Sequence, residues 1–102
     1  MSSQKDKKML FAEKIRQLRE EKQLFQRQVS AYLEMDNALY CKIERGDRQA
    51  KREQVVKLAE VFEIESEELL SLWLADKIII AIGDDRNVAE KTLGIIQEYI
   101  RI

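Results

Sequence analysis

The chain has 102 residues, of which 45% are hydrophobic and 36% charged, and this is enough for one domain with a modest core. One cysteine, no histidine and no long apolar run argue against an internal disulfide, a zinc site, a signal peptide and a membrane helix, as expected for a cytoplasmic protein. The formal net charge of −1 divides into +5 for residues 1–57 and −6 for residues 58–102, which predicts two faces with different partners.

Helix-forming residues dominate the composition. The chain contains no proline and three glycines, and this favours an all-α fold. Residues 1–7 are polar without apolar periodicity and are predicted to form a flexible tail. From Met9 onward, apolar residues recur at helical spacing, which predicts the first helix at about 8–22.

Two short helices joined by a tight break follow. The second is predicted over Gln26–Leu33, with Tyr32 facing inward. Asp36 is placed to cap the third helix, because its carboxylate can accept the free backbone N–H groups of the next turn. The third helix is predicted over 37–45. Gly46 then ends it, since glycine takes the left-handed conformation without a Cβ clash.

Three more helices are predicted in the second half of the chain. The fourth spans about 52–62. The fifth begins at Ser66, and its apolar residues surround nearly the whole helix, so it should be buried on more than one side. Its end, 78-IIIAI-82, is rich in β-branched residues and could form either the last helical turn or a short strand. A turn at 83–85 precedes a last amphipathic helix over 87–101.

An ordered set of short patterns runs through the first five helices. These are I–R–x–L–R in the first helix, Gln opening the second, I–E–R–G ending the third, K–L–A–x–x–F in the fourth and E–L–L opening the fifth. Together, over about residues 9–72, they resemble the phage-repressor/Cro-like (XRE-type) helix-turn-helix family. The resemblance implies a five-helix repressor-like domain, here with an extended fifth helix and an additional C-terminal helix.

The resemblance also divides the chain by role. Residues 8–65 are expected to form the helix-turn-helix DNA-binding region, and residues 66–102 a C-terminal helical dimerisation region of the same compact domain. In this family the third helix is the recognition helix, which lies in the major groove of DNA. Arg19 and Glu44 match a pair that often forms an internal ion pair in the family and braces that helix.

Individual DNA contacts follow from the same resemblance. Asparagine can bond bidentately to adenine, lysine can reach guanine, and small apolar side chains can touch a thymine methyl. The base contacts implied are Asn37, Ala38, Leu39 and Lys42. The phosphate contacts implied are Gln26, Arg27, Arg45, Arg48, Lys51 and Arg52. Each of these polar residues could alternatively be an ordinary solvated side chain.

Three positions depart from the family pattern or raise a second interpretation. Glu34 stands where the helix-turn-helix turn usually holds glycine, so the turn either contains a left-handed glutamate or is rearranged. Tyr40 replaces a smaller Ile or Val inside the domain and needs a partner for its hydroxyl. Cys41 lies beside Lys42 and is either a small packed residue or a thiol made reactive by the neighbouring cation.

The C-terminal region has more apolar residues than one small core needs. We expect it to form a dimer interface, although the last helix could instead fold back over the fifth helix within one chain. The residues expected in the interface are Leu72, Trp73, Ile79, Ile80, Ile82, Leu93, Ile96, Tyr99 and Ile100. Twofold dimers are the usual way in which such domains reach two half-sites of a palindromic operator.

These features predict a homodimeric, sequence-specific regulator of transcription that binds double-stranded DNA and acts as a repressor or autoregulator. Phage repressors, restriction–modification controllers and antitoxins are small proteins of this kind, and the size and the helical tail favour the controller type. The alternative is a protein-interaction module that uses the acidic, apolar C-terminal helices without binding DNA. No enzyme, cofactor, metal or small-molecule ligand is expected, since no nucleophile–base pair or Gly-rich phosphate loop is present.

Overall fold

The computed structural model describes residues 9–101, which form six α-helices and one short 3-10 helix. The helices are α1 (Leu10–Glu21), α2 (Gln26–Tyr32), α3 (Asn37–Arg45), α4 (Arg52–Phe62), α5 (Ser66–Ile82) and α6 (Ala89–Arg101), with the 3-10 turn at Arg86–Val88. The all-α prediction is confirmed, and residues 78–82 are the helical end of α5. The predicted tail at 1–7 lies outside the described residues. None of the described helices is long and apolar enough to cross a membrane.

The first five helices surround one hydrophobic core. α5 packs against α4 and α1, and α3 packs against α2 and α1. Every one of these helices supplies at least one large side chain that is less than 2% exposed. These side chains are Ile15, Val29, Tyr40, Val55, Leu58, Phe62 and Leu69. Burial of each contributes about 1.5–3 kcal/mol relative to exposure, so the core fixes the mutual orientation of α2 and α3.

The turn between α2 and α3 keeps a left-handed residue although that residue is Glu34, with φ +55°. Its N–H donates to Ala31 O at 3.0 Å, and the N–H of Met35 donates to Ser30 O at 2.9 Å. This pair of bonds is the Schellman motif that ends many helices. The turn is therefore not rearranged, and the glutamate carries a conformational cost of roughly 1 kcal/mol.

α1 begins without a side-chain cap from its own N-terminus, because Met9 precedes it and its side chain makes no capping hydrogen bond. Asp76 of α5 takes that role from a distance. Its Oδ1 accepts the N–H of Leu10 and its Oδ2 accepts the N–H of Phe11, both at 2.9 Å. The carboxylate is buried and faces the positive end of the α1 dipole. The same part of α5 is held by Trp73, whose Nε1–H donates to Ala50 O at 2.8 Å.

Two expectations for α2 and α3 need correction. Tyr32 does not face inward: its side chain is 52% exposed and its hydroxyl donates to Glu60 Oε1 at 3.1 Å. The neighbouring Leu33 takes the inward position instead. Asp36 does stand at the start of α3, but its side chain makes no capping hydrogen bond. Only its backbone carbonyl takes part, accepting the N–H of Tyr40 at 3.0 Å.

The expectation that α5 is buried on more than one side is also wrong for the single chain. Only Leu69 and Asp76 of α5 are buried, and a second side of the helix stays open. The partly covered region between α5 and α6 is a hollow lined by Ile78, Ala81, Ile82, Asp85, Val88, Thr92 and Ile96. No α6 side chain is buried among the described residues, so this helix covers α5 only in part.

Candidate nucleic-acid interface

Glu44, near the end of α3, is the centre of a buried hydrogen-bond network. Its carboxylate accepts from Arg19 Nε at 2.7 Å and from Arg19 Nη2 at 3.0 Å, which is a bidentate pair between α1 and α3. It also accepts from the Tyr40 hydroxyl at 2.7 Å and from Gln26 Nε2 at 2.8 Å. Arg19 Nη1 donates further to Leu24 O at 2.8 Å. The arrangement ties α3 to α1 and to the start of α2.

The charges in this network stabilise each other. Burial opposes ionisation of Glu44, but hydrogen bonds from Arg19, Tyr40 and Gln26 outweigh it and lower the pKa of the carboxyl group. The hydrogen bond to Glu44 raises the pKa of Arg19 against the opposing effect of burial. Burial, followed by the hydrogen bond to Glu44, raises the pKa of Tyr40. The ion pair therefore stays charged at neutral pH. Glu44 also supplies the hydrogen-bond partner that the buried hydroxyl group of Tyr40 requires.

A second chain of polar contacts runs from Gln26 to the surface of α3. The Cys41 thiol donates to Gln26 Oε1 at 3.1 Å, and Asn37 Nδ2 lies 3.8 Å from the Cys41 sulfur. Ser30, which is buried in α2, donates its hydroxyl to Asn37 Oδ1 at 3.1 Å. The side-chain amide of Asn37 is thus oriented by residues of both short helices.

The outer face of α3 stays open to solvent. Asn37, Ala38 and Lys42 are exposed, as a base-contacting surface requires. Leu39 is half-buried and packs against the core, so it offers less surface to a ligand than the sequence alone implies. The structure therefore presents a short helix that Glu44 fixes to α1 and α2, with an exposed amide at its first residue and an exposed ammonium group at Lys42.

The sequence of this part of the chain matches a known protein family. A family model described as a helix-turn-helix domain matches residues 10–73. The chain belongs to the helix-turn-helix domain family. The match indicates a DNA-binding regulator and covers α1 through the first half of α5, while the rest of α5 and all of α6 lie beyond it. The chain matches no curated protein and no solved structure.

Basic side chains surround the helix-turn-helix. Arg27 of α2, Arg48 and Lys51 of the loop after α3, and Arg52 at the start of α4 are all exposed. Within residues 9–101 none of these four forms an ion pair. Arg45 differs, since its Nε is 3.0 Å from Asp47 Oδ2 in a pair that is more than half exposed on both sides.

Gln26 has a different environment from the one the sequence implies. Its side chain is half-buried and bonded to Glu44 and Cys41 at the same time. One amide hydrogen and the backbone N–H at the start of the helix-turn-helix remain available for an anion.

Sequence reasoning missed Ser30 and Cys41 as the residues that orient Asn37, because a hydroxyl and a thiol in two different helices carry no joint signal.

The residues expected in a dimer interface fall into two groups. Leu72 and Trp73 are partly buried against the core of their own helix-turn-helix domain. The others lie on the second half of α5 and on α6, where Ile79 is 53% exposed, Tyr99 79% and Ile100 72%. Ile80 and Leu93 are exposed, while Ile82 and Ile96 are half-buried in the hollow between the helices.

Among residues 9–101 no cluster of acidic or cysteine side chains could hold a metal ion.

Proposed function

We propose that this protein is a sequence-specific regulator of transcription of the phage-repressor/Cro-like type, which binds a palindromic operator in double-stranded DNA as a homodimer. The observation that carries the proposal is the network around Glu44. It ties α3 to α1 through Arg19 and to the start of α2 through Gln26, while Asn37, Ala38 and Lys42 of the same helix stay exposed. A reading helix needs both properties, since base contacts require exposure and a fixed orientation.

The exposed side chains of α3 match the chemistry of base edges. The Asn37 amide can bond bidentately to adenine N6 and N7, and the Lys42 ammonium can donate to guanine O6 and N7. Ala38 leaves room for a thymine methyl. Each good bidentate pair discriminates against a wrong base by about 1–3 kcal/mol, which is enough for a short operator to be selected by a few such contacts.

The surrounding cations match the sugar–phosphate backbone. Arg27, Arg48, Lys51 and Arg52 carry no partner within residues 9–101, and the backbone N–H groups at the start of α2 add partial positive charge. We assign to them the phosphate contacts that fix register and supply most of the non-specific affinity. Arg45 can join them by exchanging its exposed Asp47 partner for a phosphate.

The homodimer is supported by apolar surface that the single chain leaves uncovered. Ile79, Ile80, Ile95, Tyr99 and Ile100 are each more than half exposed on the C-terminal half of α5 and on α6. A second copy would cover this surface by a twofold contact. The resulting dimer would carry two copies of α3, one for each of two half-sites about 34 Å apart. The negative net charge of residues 58–102 keeps this region away from DNA, which leaves it free for the partner.

The described residues provide a surface on α3 for DNA and an apolar surface on α5 and α6 for a second copy. A repressor or autoregulator is the role that fits these two surfaces. A repressor acts by occupying its operator, so DNA binding and dimerisation are sufficient. The proposal covers restriction–modification controllers, phage repressors and antitoxins, with the first favoured by the helical tail.

Fluorescence anisotropy with random duplex DNA at several salt concentrations tests the DNA-binding part. About six phosphate contacts give a slope near −5 in a plot of log affinity against log salt. The variant Arg48→Ala should reduce the magnitude of this slope by about 1. Lys91→Ala on α6 serves as a matched control that leaves the slope unchanged. A protein with no measurable binding at low salt would exclude the proposal and leave the alternative, a protein-interaction module based on the open α5–α6 surface.

A further inference from the structure

Phe25 is a large apolar side chain that the protomer leaves 72% exposed. It stands immediately before α2, at the position where Ser, Thr, Asp or Asn would accept a helix N–H group and a phenyl ring cannot. Neither core packing nor capping accounts for the ring. The residue nevertheless has a fixed backbone, because its N–H donates to Gln28 Oε1 at 2.7 Å and its carbonyl accepts the N–H of Gln28 at 3.0 Å.

The ring lies among the residues assigned to DNA. Phe25, Gln26, Arg27 and Asn37 line one surface hollow. Two of them, Gln26 and Arg27, are proposed phosphate contacts, and Asn37 is a proposed base contact. The hollow is therefore the place where the proposed DNA surface passes from the sugar–phosphate backbone to the edges of the bases.

Among the base edges of duplex DNA, an aromatic ring at this position has one favourable partner. Thymine alone presents a methyl group in the major groove, and phenylalanine is one of the side chains that contact it. An adenine bonded by Asn37 is paired with a thymine whose methyl lies in the same groove. The ring offers no attraction to a phosphate, and as a side chain with two torsions on a fixed backbone it loses little conformational entropy on contact.

We propose that Phe25 is a specificity-determining residue, which packs against the 5-methyl group of a thymine at the edge of the site contacted by Asn37. The inference rests on the proposed DNA-binding function and adds a thymine contact by Phe25, a residue to which the resemblance assigns no role. It also gives a reason for the aromatic residue at a helix start that favours small polar side chains.

The test uses the full chain and a duplex selected by it from a random pool. Each thymine of that duplex is replaced in turn by deoxyuridine, which removes only the methyl group and keeps the base pair. For the unsubstituted protein, one replacement per half-site should weaken binding about fourfold, the equivalent of one methyl group removed from an apolar contact. For Phe25→Ala the same replacement should have no effect. Tyr32→Ala, which removes another exposed aromatic ring of α2, should behave as the unsubstituted protein.

The outcomes separate this inference from the function on which it rests. If Phe25→Ala binds less tightly to all duplexes but no thymine replacement matters to the unsubstituted protein, the ring contacts deoxyribose and the thymine contact is refuted. If Phe25→Ala binds like the unsubstituted protein, the ring plays no part in binding. If the unsubstituted protein selects no duplex at all, the proposed function fails and the inference fails with it. Circular dichroism of Phe25→Ala, whose ring is outside the core, checks that the fold is retained.

Discussion

The buried carboxylate of Asp76 accepts a hydrogen bond of 2.9 Å from the backbone N–H of Phe11, which lies 65 residues earlier in the chain. A second bond of the same length joins it to the N–H of Leu10. The first turn of α1 is therefore capped by α5. Asp76 lies just beyond residues 10–73, which match the helix-turn-helix family. This contact links the second half of α5 to the start of α1 by satisfying backbone groups that water would otherwise have to solvate.

Substitution Asp76→Ala should lower the free energy of unfolding by about 2 kcal/mol, because two helix N–H groups lose their acceptor in a buried setting. Urea denaturation at neutral pH measures the loss. Asp84→Ala, at an exposed position of the turn before α6, is the matched control and should leave stability unchanged. Hydrogen exchange at the amides of Leu10 and Phe11 should accelerate in Asp76→Ala. Unchanged protection at these two amides would show that the carboxylate is not their acceptor in solution.

Glu44 should make stability depend on pH in the acid range. The folded state lowers the pKa of Glu44, so on acidification the unfolded chain takes up the proton first. The contribution of Glu44 is complete above the unfolded pKa of about 4.3 and is lost as the pH falls towards the lower folded pKa. Glu44→Gln should lose about 3 kcal/mol at pH 7, since the partly buried Arg19 loses its anion and the Tyr40 hydroxyl and the Gln26 amide lose a charged acceptor. It should also show a shallower decline of stability below about pH 5.

Denaturation at a series of pH values tests this dependence. Glu67→Gln, on the exposed side of α5, removes one carboxyl group without touching the network and is the control. A decline as steep in Glu44→Gln as in the unsubstituted protein would assign the acid sensitivity to other carboxyl groups.

Local patterns in the sequence predict local features of this fold well, whereas the one distant contact predicted and observed, Arg19–Glu44, follows from the family resemblance and not from a local pattern. The bounds of α3 and α4 follow from apolar spacing and from Gly46, which are local signals. Tyr32 was predicted to face inward beside Leu33, although adjacent positions of a helix point about 100° apart and only one of the two reaches the core here. The Asp76 cap and the orientation of Asn37 by Ser30 depend on which helices meet in space, and no local pattern carries that information.

Glu34→Gly should stabilise the protein. Glycine occupies the left-handed conformation at φ +55° without a Cβ clash, and its larger entropy loss on folding offsets part of the gain. The net effect should be about 0.5–1 kcal/mol, or a rise of a few degrees in Tm. Gly46→Ala is the converse test at φ +85°, where an added Cβ would stand 3.0 Å from Met9 Cγ, and it should destabilise. A lower Tm for Glu34→Gly would mean that the glutamate side chain makes a stabilising contact.

The double substitution Ile95→Lys and Tyr99→Lys should convert a dimer into a monomer. The two side chains are 61% and 79% exposed and lie one turn apart on α6, so two ammonium groups would be placed in the proposed apolar contact. Light scattering gives the molar mass, and removal of residues 84–102 should have the same effect. Tyr32→Lys places one such ammonium group on an exposed tyrosine of α2 and should leave the mass unchanged. A dimer that survives the truncation would locate the interface elsewhere.

Lys42 and Arg48 should affect DNA binding in different ways. Lys42 is exposed on the outer face of α3, and Arg48 is exposed on the loop that follows it. Lys42→Ala should therefore relax the preference for one base pair by about 1–3 kcal/mol, since it removes a contact to a base edge. Arg48→Ala should weaken binding to all sequences about equally and lower the salt slope by about 1. Anisotropy titrations of a selected duplex and its single base-pair variants at several salt concentrations separate the two effects. The reverse pattern would place the loop in the groove and α3 on the backbone.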